Sequence, residues 1–327
     1  MKILVTGGSG FIGSHVVDCL HAAGHEVRIF DVVPSPYHDA GEVEVVIGDI
    51  ADRDLLLAAT SGCDVIAHLA AVSDVNHVVE DPAWAEAVNA HGTALLLDVA
   101  RAQDVAHVVY ASTIWVYGNA VGTEPLDEDT PLAPPAHLYT ATKLAGEMFC
   151  RSYGELYGLK STILRFGIPY GPRSRRATVL AAFVERALAG QPLMIAGDGR
   201  QSRQFVYVED LAHGLVAALS SPVPNQTYNL VGEETVTVRE IAEMVRRLVA
   251  PVEIVNVDNR PADLSGVRIS GARAARELRW TATTPFAEGA RRYVDSVTRL
   301  NRRPQSATAS QMSGSAAIVF RQEPSEL

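Results

Sequence analysis

The sequence predicts an α/β protein: a doubly wound parallel sheet, with a smaller mixed α/β lobe interleaved at its C-terminal side. Three observations predict it. Short apolar runs of strand length alternate with segments of helical period through the first half of the chain. A glycine-rich turn joins the first such run to the first helix. A late strand, Thr227-Tyr228-Asn229-Leu230, is expected to rejoin the first lobe, so that the two lobes interleave rather than follow one another.

The first strand, Lys2-Ile3-Leu4-Val5-Thr6, is apolar enough to be buried on both faces. Gly7-Gly8-Ser9-Gly10-Phe11-Ile12-Gly13 follows, and then a helix over 12–23 whose Ile12, Val16, Val17, Cys19 and Leu20 recur at near-helical spacing. Gly24 ends that helix, and Glu26 to Asp31 reads as the second strand. Glycines at 7, 10 and 13 let the chain turn tightly, let a pyrophosphate approach the helix N-terminus, and let helix pack on strand. This is a Rossmann-type dinucleotide unit. Asp31 stands 18 residues after Gly13, placed to accept hydrogen bonds from a ribose diol, and its charge repels a 2′-phosphate. NAD is therefore expected as cofactor in preference to NADP.

Composition narrows the class further. A chain of 327 residues with 47% hydrophobic and 20% charged residues is long enough for two unequal lobes and ordinary enough to be globular. The net charge of -10 and the lack of a Lys/Arg run exclude nucleic acid as the expected partner. Cys19, Cys63 and Cys150 are few, scattered and free of metal spacing, so reduced cysteines of a cytoplasmic protein are expected, with no metal. A strand begins at Lys2, leaving no room for a signal peptide, and no apolar run approaches the roughly 18 residues of a membrane span.

The chemistry points to Tyr139-Thr140-Ala141-Thr142-Lys143, inside a segment from Tyr139 to Tyr153 that reads as helix. Side chains four apart share a helix face, and an adjacent ammonium favours the phenolate of a tyrosine. Any amphipathic helix can present such a pair; its significance comes from the dinucleotide unit upstream.

Gly7-x-x-Gly10-x-x-Gly13, within Thr6 to His15, resembles the dinucleotide fingerprint of the extended short-chain dehydrogenase/reductase family, and within it the NAD-dependent nucleotide-sugar epimerases and dehydratases. The resemblance covers roughly residues 1 to 300. It implies that Gly7, Gly10, Phe11, Ile12 and Gly13 hold the pyrophosphate and Asp31 the ribose. Gly48-Asp49-Ile50 closes a third strand and assigns Asp49 and Ile50 to the adenine. His68-Leu69-Ala70-Ala71 ends a fourth, with Leu69, Ala70 and Ala71 lining the nicotinamide side and His68 left to packing; Asn89 braces the site. A fifth strand, Val105 to Ser112, runs into Thr113, and Phe166 ends a sixth, Thr162 to Phe166. Ser112 and Phe166 are expected at the cofactor. Thr113, Tyr139 and Lys143 then form the catalytic triad, with Thr113 also holding a substrate hydroxyl.

One departure separates subfamilies. Dehydratases of this kind carry an Asp-Glu pair directly after the threonine, whereas this chain has Ile114 and Trp115, neither of which moves a proton. Ser73, and in the substrate lobe Arg203 and Arg260, are expected from the resemblance to grip a nucleotide sugar, a UDP-sugar being favoured; Ile168 replaces an asparagine of the relatives. Arg173-Ser174-Arg175-Arg176 reads as a solvated basic loop, and Asp210 as the cap of a helix over 211–219. The lobes are expected at 1–167, with a return near 205–232, and at 168–300; 301–327 reads as a disordered tail. The resemblance also implies a homodimer through helices over 84–102 and 138–156.

The implied reaction oxidises a sugar carbinol with Tyr139 as acid/base and gives a transient ketone. With no second acid or base to eliminate or decarboxylate, the ketose turns over and is reduced on its other face: C4 epimerisation of a UDP-hexose or UDP-hexuronate. A nucleotide-sugar ketoreductase is the alternative, and a non-catalytic dinucleotide-binding regulator a remoter one.

Overall fold

Seven strands build the main sheet. The computed structural model describes residues 1–302 except 40, 119–124, 136, 176–177, 220–222, 224 and 259–267. In chain order the first six strands are β1 (Lys2–Thr6), β2 (Glu26–Asp31), β3 (Glu44–Ile47), β4 (Val65–His68), β5 (His107–Thr113) and β6 (Ser161–Phe166). They continue with β7 (Ile168–Tyr170), β8 (Leu193–Ala196), β9 (Ser202–Tyr207), β10 (Thr227–Leu230), β11 (Thr235–Thr237) and β12 (Ile254–Val257). The main sheet runs β10-β6-β5-β4-β1-β2-β3, and every pairing in it is parallel.

From β1 the chain steps outward to β2 and β3, then returns to β4 and proceeds the other way. The reversal falls between β1 and β4, and ligands of open α/β sheets bind at the carboxyl ends of strands beside such a reversal. β10 pairs with β6 over Thr227 to Leu230, so a strand from late in the chain completes this sheet.

Both faces are covered, which is why the strands read as continuous apolar runs. On one face, helices Phe11–Ala22 and Val208–Leu219 pack Val16, Val17, Leu20, Leu211 and Leu215 onto Ile3, Val5 and Ile29. On the other, Leu4, Ile66 and Val108 meet Leu56, Leu96, Leu97 and Cys150 from helices Arg53–Thr60, Gly92–Ala102 and Leu138–Tyr157. A separate core forms around Tyr170, Phe183, Leu193, Tyr207, Ile241 and Phe286, beneath the mixed sheet β11-β9-β7 and the parallel pair β12-β8.

Several expectations are corrected. Asp210 lies in the first turn of helix Val208–Leu219 and does not cap it. Its carboxylate instead accepts from the amides of Thr283 and Thr284 and the hydroxyl of Thr283, pinning a distant segment. The predicted helix over 84–102 is interrupted by a π-helical stretch, Ala87–His91. The last helix, Phe286–Arg302, runs into the predicted tail; 303–327 lie outside the described residues. Among the described residues, no helix is long and apolar enough to cross a membrane.

Candidate active site

The glycine turn joins β1 to helix Phe11–Ala22 at the sheet reversal. Gly7 has φ +72°, and a Cβ there would come within 2.8 Å of the Ala70 amide nitrogen, just beyond β4. At Gly13 a Cβ would lie 2.1 Å from the Gly7 carbonyl oxygen, so only glycine lets the helix approach the turn. Gly10 is the N-cap and makes no side-chain cap, which leaves the amides of Phe11, Ile12 and Gly13 facing outward for an anion. Asp31 ends β2 and accepts from the Ser9 amide at 3.0 Å, so this carboxylate is held against the same turn. Burial raises its pKa while the Ser9 and Val33 amides oppose the rise.

The remaining cofactor candidates distribute unevenly. Leu69, Ala70 and Ala71 form the partly exposed loop after β4, with the Ala70 amide bonded to Thr6 Oγ1. Asp49 Oδ1 closes a turn onto the Ala51 amide, and Ile50 is buried against Gly92. Phe166 is buried at the end of β6. Asn89 is buried, its side chain bonding both Val72 backbone groups and Thr142 Oγ1, so it ties the loop after β4 to helix Leu138–Tyr157. His68 bridges Thr6 and Thr93 inside the core, and burial pulls its pKa down to about 3, which keeps it neutral. Packing was the reading of its sequence, and packing is where it lies.

Tyr139 and Lys143 sit one turn apart at the N-terminal end of helix Leu138–Tyr157, the first partly exposed and the second buried. Lys143 Nζ donates to the Ala111 carbonyl at 2.9 Å. Tyr139 lies one turn N-terminal to that lysine. Thr113 closes β5, two residues after Ala111. Thr113 Oγ1 accepts from the Trp115 amide at 3.2 Å and caps the short 3₁₀ turn Ile114–Tyr117.

Burial pushes the Tyr139 phenol up to about 12 and pulls the Lys143 ammonium down to about 8. The cation that pulls Tyr139 back is Arg175. Lys143 shares the helix face with Tyr139, and its Nζ donates to the Ala111 carbonyl. Arg175 also corrects the solvated-loop reading, because it bonds Ser73 Oγ and lies 3.7 Å from Asp74. Nor is Arg173 merely solvated; it meets Asp18 at 2.8 Å and stacks over Tyr37 at 4.5 Å.

Ser112, expected at the cofactor, donates to Glu147 Oε1 at 2.6 Å inside the protein. Glu147 and Arg165 form a fully buried bidentate pair, and Arg165 continues to the Tyr117 hydroxyl and thence to Asn229. Sequence reading missed this network. Its signal was a glutamate four residues after Lys143, on the same helix face. Arg203 lies on β9 and donates to the Ser202 carbonyl, while Ser73 is exposed and held by Arg175. Arg260 lies outside the described residues.

Residues 3–231 match the NAD dependent epimerase/dehydratase family. The chain belongs to that family. It is 37% identical over 311 residues to a UDP-glucose 4-epimerase of Mycolicibacterium smegmatis, covering 90% of this chain and 98% of that one. A dTDP-glucose 4,6-dehydratase of Neisseria gonorrhoeae is 30% identical, covering 91% and 97%. The crystal structure of Thermus thermophilus UDP-glucose 4-epimerase in complex with NAD superposes with a TM-score of 0.83 at 34% identity, covering 91% and 99%.

This family member is an extended short-chain dehydrogenase/reductase and an NAD-dependent enzyme of the nucleotide-sugar epimerase/dehydratase type. Its own residues fit NAD: the cradle at Gly7 and Gly13 that a Cβ would fill, the uncapped helix N-terminus, and the Asp31 carboxylate at the end of β2.

Proposed function

We propose that the protein is a nucleotide-sugar 4-epimerase, acting on a UDP-hexose or UDP-hexuronate through a transient 4-keto sugar. The observation that carries this is the stretch from Thr113 to Tyr117. Thr113 closes β5 and Tyr139 opens the helix Leu138–Tyr157, while the two residues after Thr113 are Ile114 and Trp115. A dehydratase requires a second acid and base there; neither side chain moves a proton.

Bound NAD supplies the hydride acceptor and donor. Thr113 Oγ1 holds the C4 hydroxyl, and Tyr139 takes its proton. Arg175 favours the phenolate form of Tyr139, and Lys143, fixed on Ala111, orients the coenzyme ribose beside it. The ketose turns in the pocket, and Tyr139 returns the proton to the oxygen once C4 has been reduced from its other side. Gly7, Gly10, Phe11, Ile12, Gly13 and Asp31 hold the coenzyme between turnovers, with Arg203, Arg260 and Ser73 gripping the substrate. Arg175, a cation whose charge acts on Tyr139, is the group that discriminates a neutral C6 from a carboxylate. The enzyme works in the cytoplasm as a homodimer joined through helices Gly92–Ala102 and Leu138–Tyr157.

The test is incubation without added coenzyme with UDP-glucose, UDP-galactose, UDP-glucuronate and UDP-galacturonate in turn, following C4 configuration by proton NMR. Interconversion of one pair with no net change at 340 nm supports the reading. No interconversion even with NAD present, together with consumption of NADH or NADPH by a keto sugar, supports a ketoreductase instead.

A further inference from the structure

We propose that Trp115 and His137 form an aromatic subsite for the pyranose ring of the substrate, with Trp115 setting affinity for the sugar independently of the nucleotide. The inference deepens the epimerase reading and rests on it.

Trp115 lies two residues beyond Thr113 in the turn Ile114–Tyr117, where Val116 is 1% exposed and Tyr117 2%, Ile114 is half-buried, and Trp115 is 42% exposed. Its backbone is fixed, because its amide donates to Thr113 Oγ1. The indole is thus exposed at a set distance from a catalytic hydroxyl. Among the described residues, its ring nitrogen has no hydrogen-bond acceptor.

His137 connects this indole to the catalytic tyrosine. Its ring meets Trp115 edge-on, with centroids 5.2 Å apart at 70°, and lies nearly parallel to Tyr139, 6.2 Å away at 14°. The imidazole is held in place by the Thr140 amide and hydroxyl as the N-cap of helix Leu138–Tyr157. Behind Tyr139 the wall continues into Val72, Val78 and Ala85. One side of the Tyr139 hydroxyl is therefore bounded by aromatic and aliphatic surface.

The C–H face of a pyranose packs on such a surface, and a nucleoside diphosphate alone has no counterpart for it. The apolar part of that contact is also non-directional. An epimerase must present both faces of its ketose to the same coenzyme, so hydrogen bonds that fix the ring oppose turnover. An aromatic wall retains the ring while letting it rotate.

The test compares wild type, W115F and W115A in the coenzyme-loaded protein. Dissociation constants are measured for UDP and for the UDP-sugar that wild type interconverts, alongside KM and kcat. W115A is expected to weaken the UDP-sugar about tenfold or more while leaving UDP within about twofold, with W115F recovering most of the loss. Tryptophan fluorescence gives an independent readout: the UDP-sugar, and not UDP, changes the emission that wild type shows beyond W115F.

Equal weakening of UDP and UDP-sugar in W115A, or of neither, overturns the proposal, as does an identical fluorescence response to both ligands. A wild type that neither binds nor interconverts any UDP-sugar overturns the epimerase reading itself. A wild type that epimerises while W115A binds sugar normally overturns this inference alone.

Discussion

Arg165 and Glu147 form a two-pronged ion pair in the interior, with Nε to Oε1 at 2.9 Å and Nη2 to Oε2 at 2.8 Å, the arginine 2% exposed and the glutamate 0%. The pair joins β6 to the helix that carries Tyr139 and Lys143, and through Ser112 it reaches the end of β5. Removing one partner leaves the other charge buried and uncompensated. E147Q is expected to lower unfolding free energy by about 3–5 kcal/mol, read from urea denaturation. The double variant E147L/R165M is expected to recover much of that loss.

Tyr139 and Thr113 are predicted to contribute unequally. Y139F removes the group that exchanges the proton and is expected to lower kcat by about 10²–10⁴-fold with the bound coenzyme retained. T113V, which removes only a hydrogen bond to the substrate hydroxyl, is expected to cost about ten- to a hundredfold. Steady-state rates and coenzyme absorbance of the two purified variants check this.

Burial raises the Tyr139 pKa to about 12 even with the Arg175 charge opposing the rise. Without that cation the phenolate forms only at higher pH. R175Q is expected to lose about two- to tenfold in kcat at pH 7 and to regain it as pH rises. R175K should resemble wild type at neutral pH, and a pH–rate profile of the three proteins decides.

Lys143 leads to a stability prediction with a defined sign. Burial lowers its pKa from 10.5 to about 8 in the coenzyme-free protein. Below about pH 8 it is charged in both folded and unfolded states, and the fold bears the full cost of desolvating it. Between about 8 and 10.5 the unfolded chain binds the proton more tightly, so its contribution to stability rises with pH, by up to about 3 kcal/mol. K143M is expected to be more stable than wild type at pH 7, with the difference shrinking toward pH 10. Paired denaturation curves across that range measure it.

The glycine turn was legible because its requirements are local: Gly7, Gly10 and Gly13 fall within one strand-turn-helix unit, and Asp31 ends the next strand. Tyr139 and Lys143 were legible as a face because both lie on one helix. What escaped needed contacts between elements. Glu147 and Arg165 are 18 residues apart, on a helix and a strand, and neither announces that it is buried. Arg175 lay in a run of arginines, and only the fold brings it to Ser73, 102 residues earlier. Asp210 looked like a helix cap because aspartate before an apolar helix usually is one; the tertiary partners Thr283 and Thr284 took its carboxylate instead.

The central claim is that oxidation and re-reduction occur at one carbon with no elimination, and turnover in deuterium oxide tests it most directly. With the UDP-sugar pair that the enzyme interconverts, the account predicts epimerisation with the C4 proton retained, no deuterium at C5 and no net change at 340 nm. Deuterium at C5 with accumulation of a keto sugar would contradict it and identify a dehydratase.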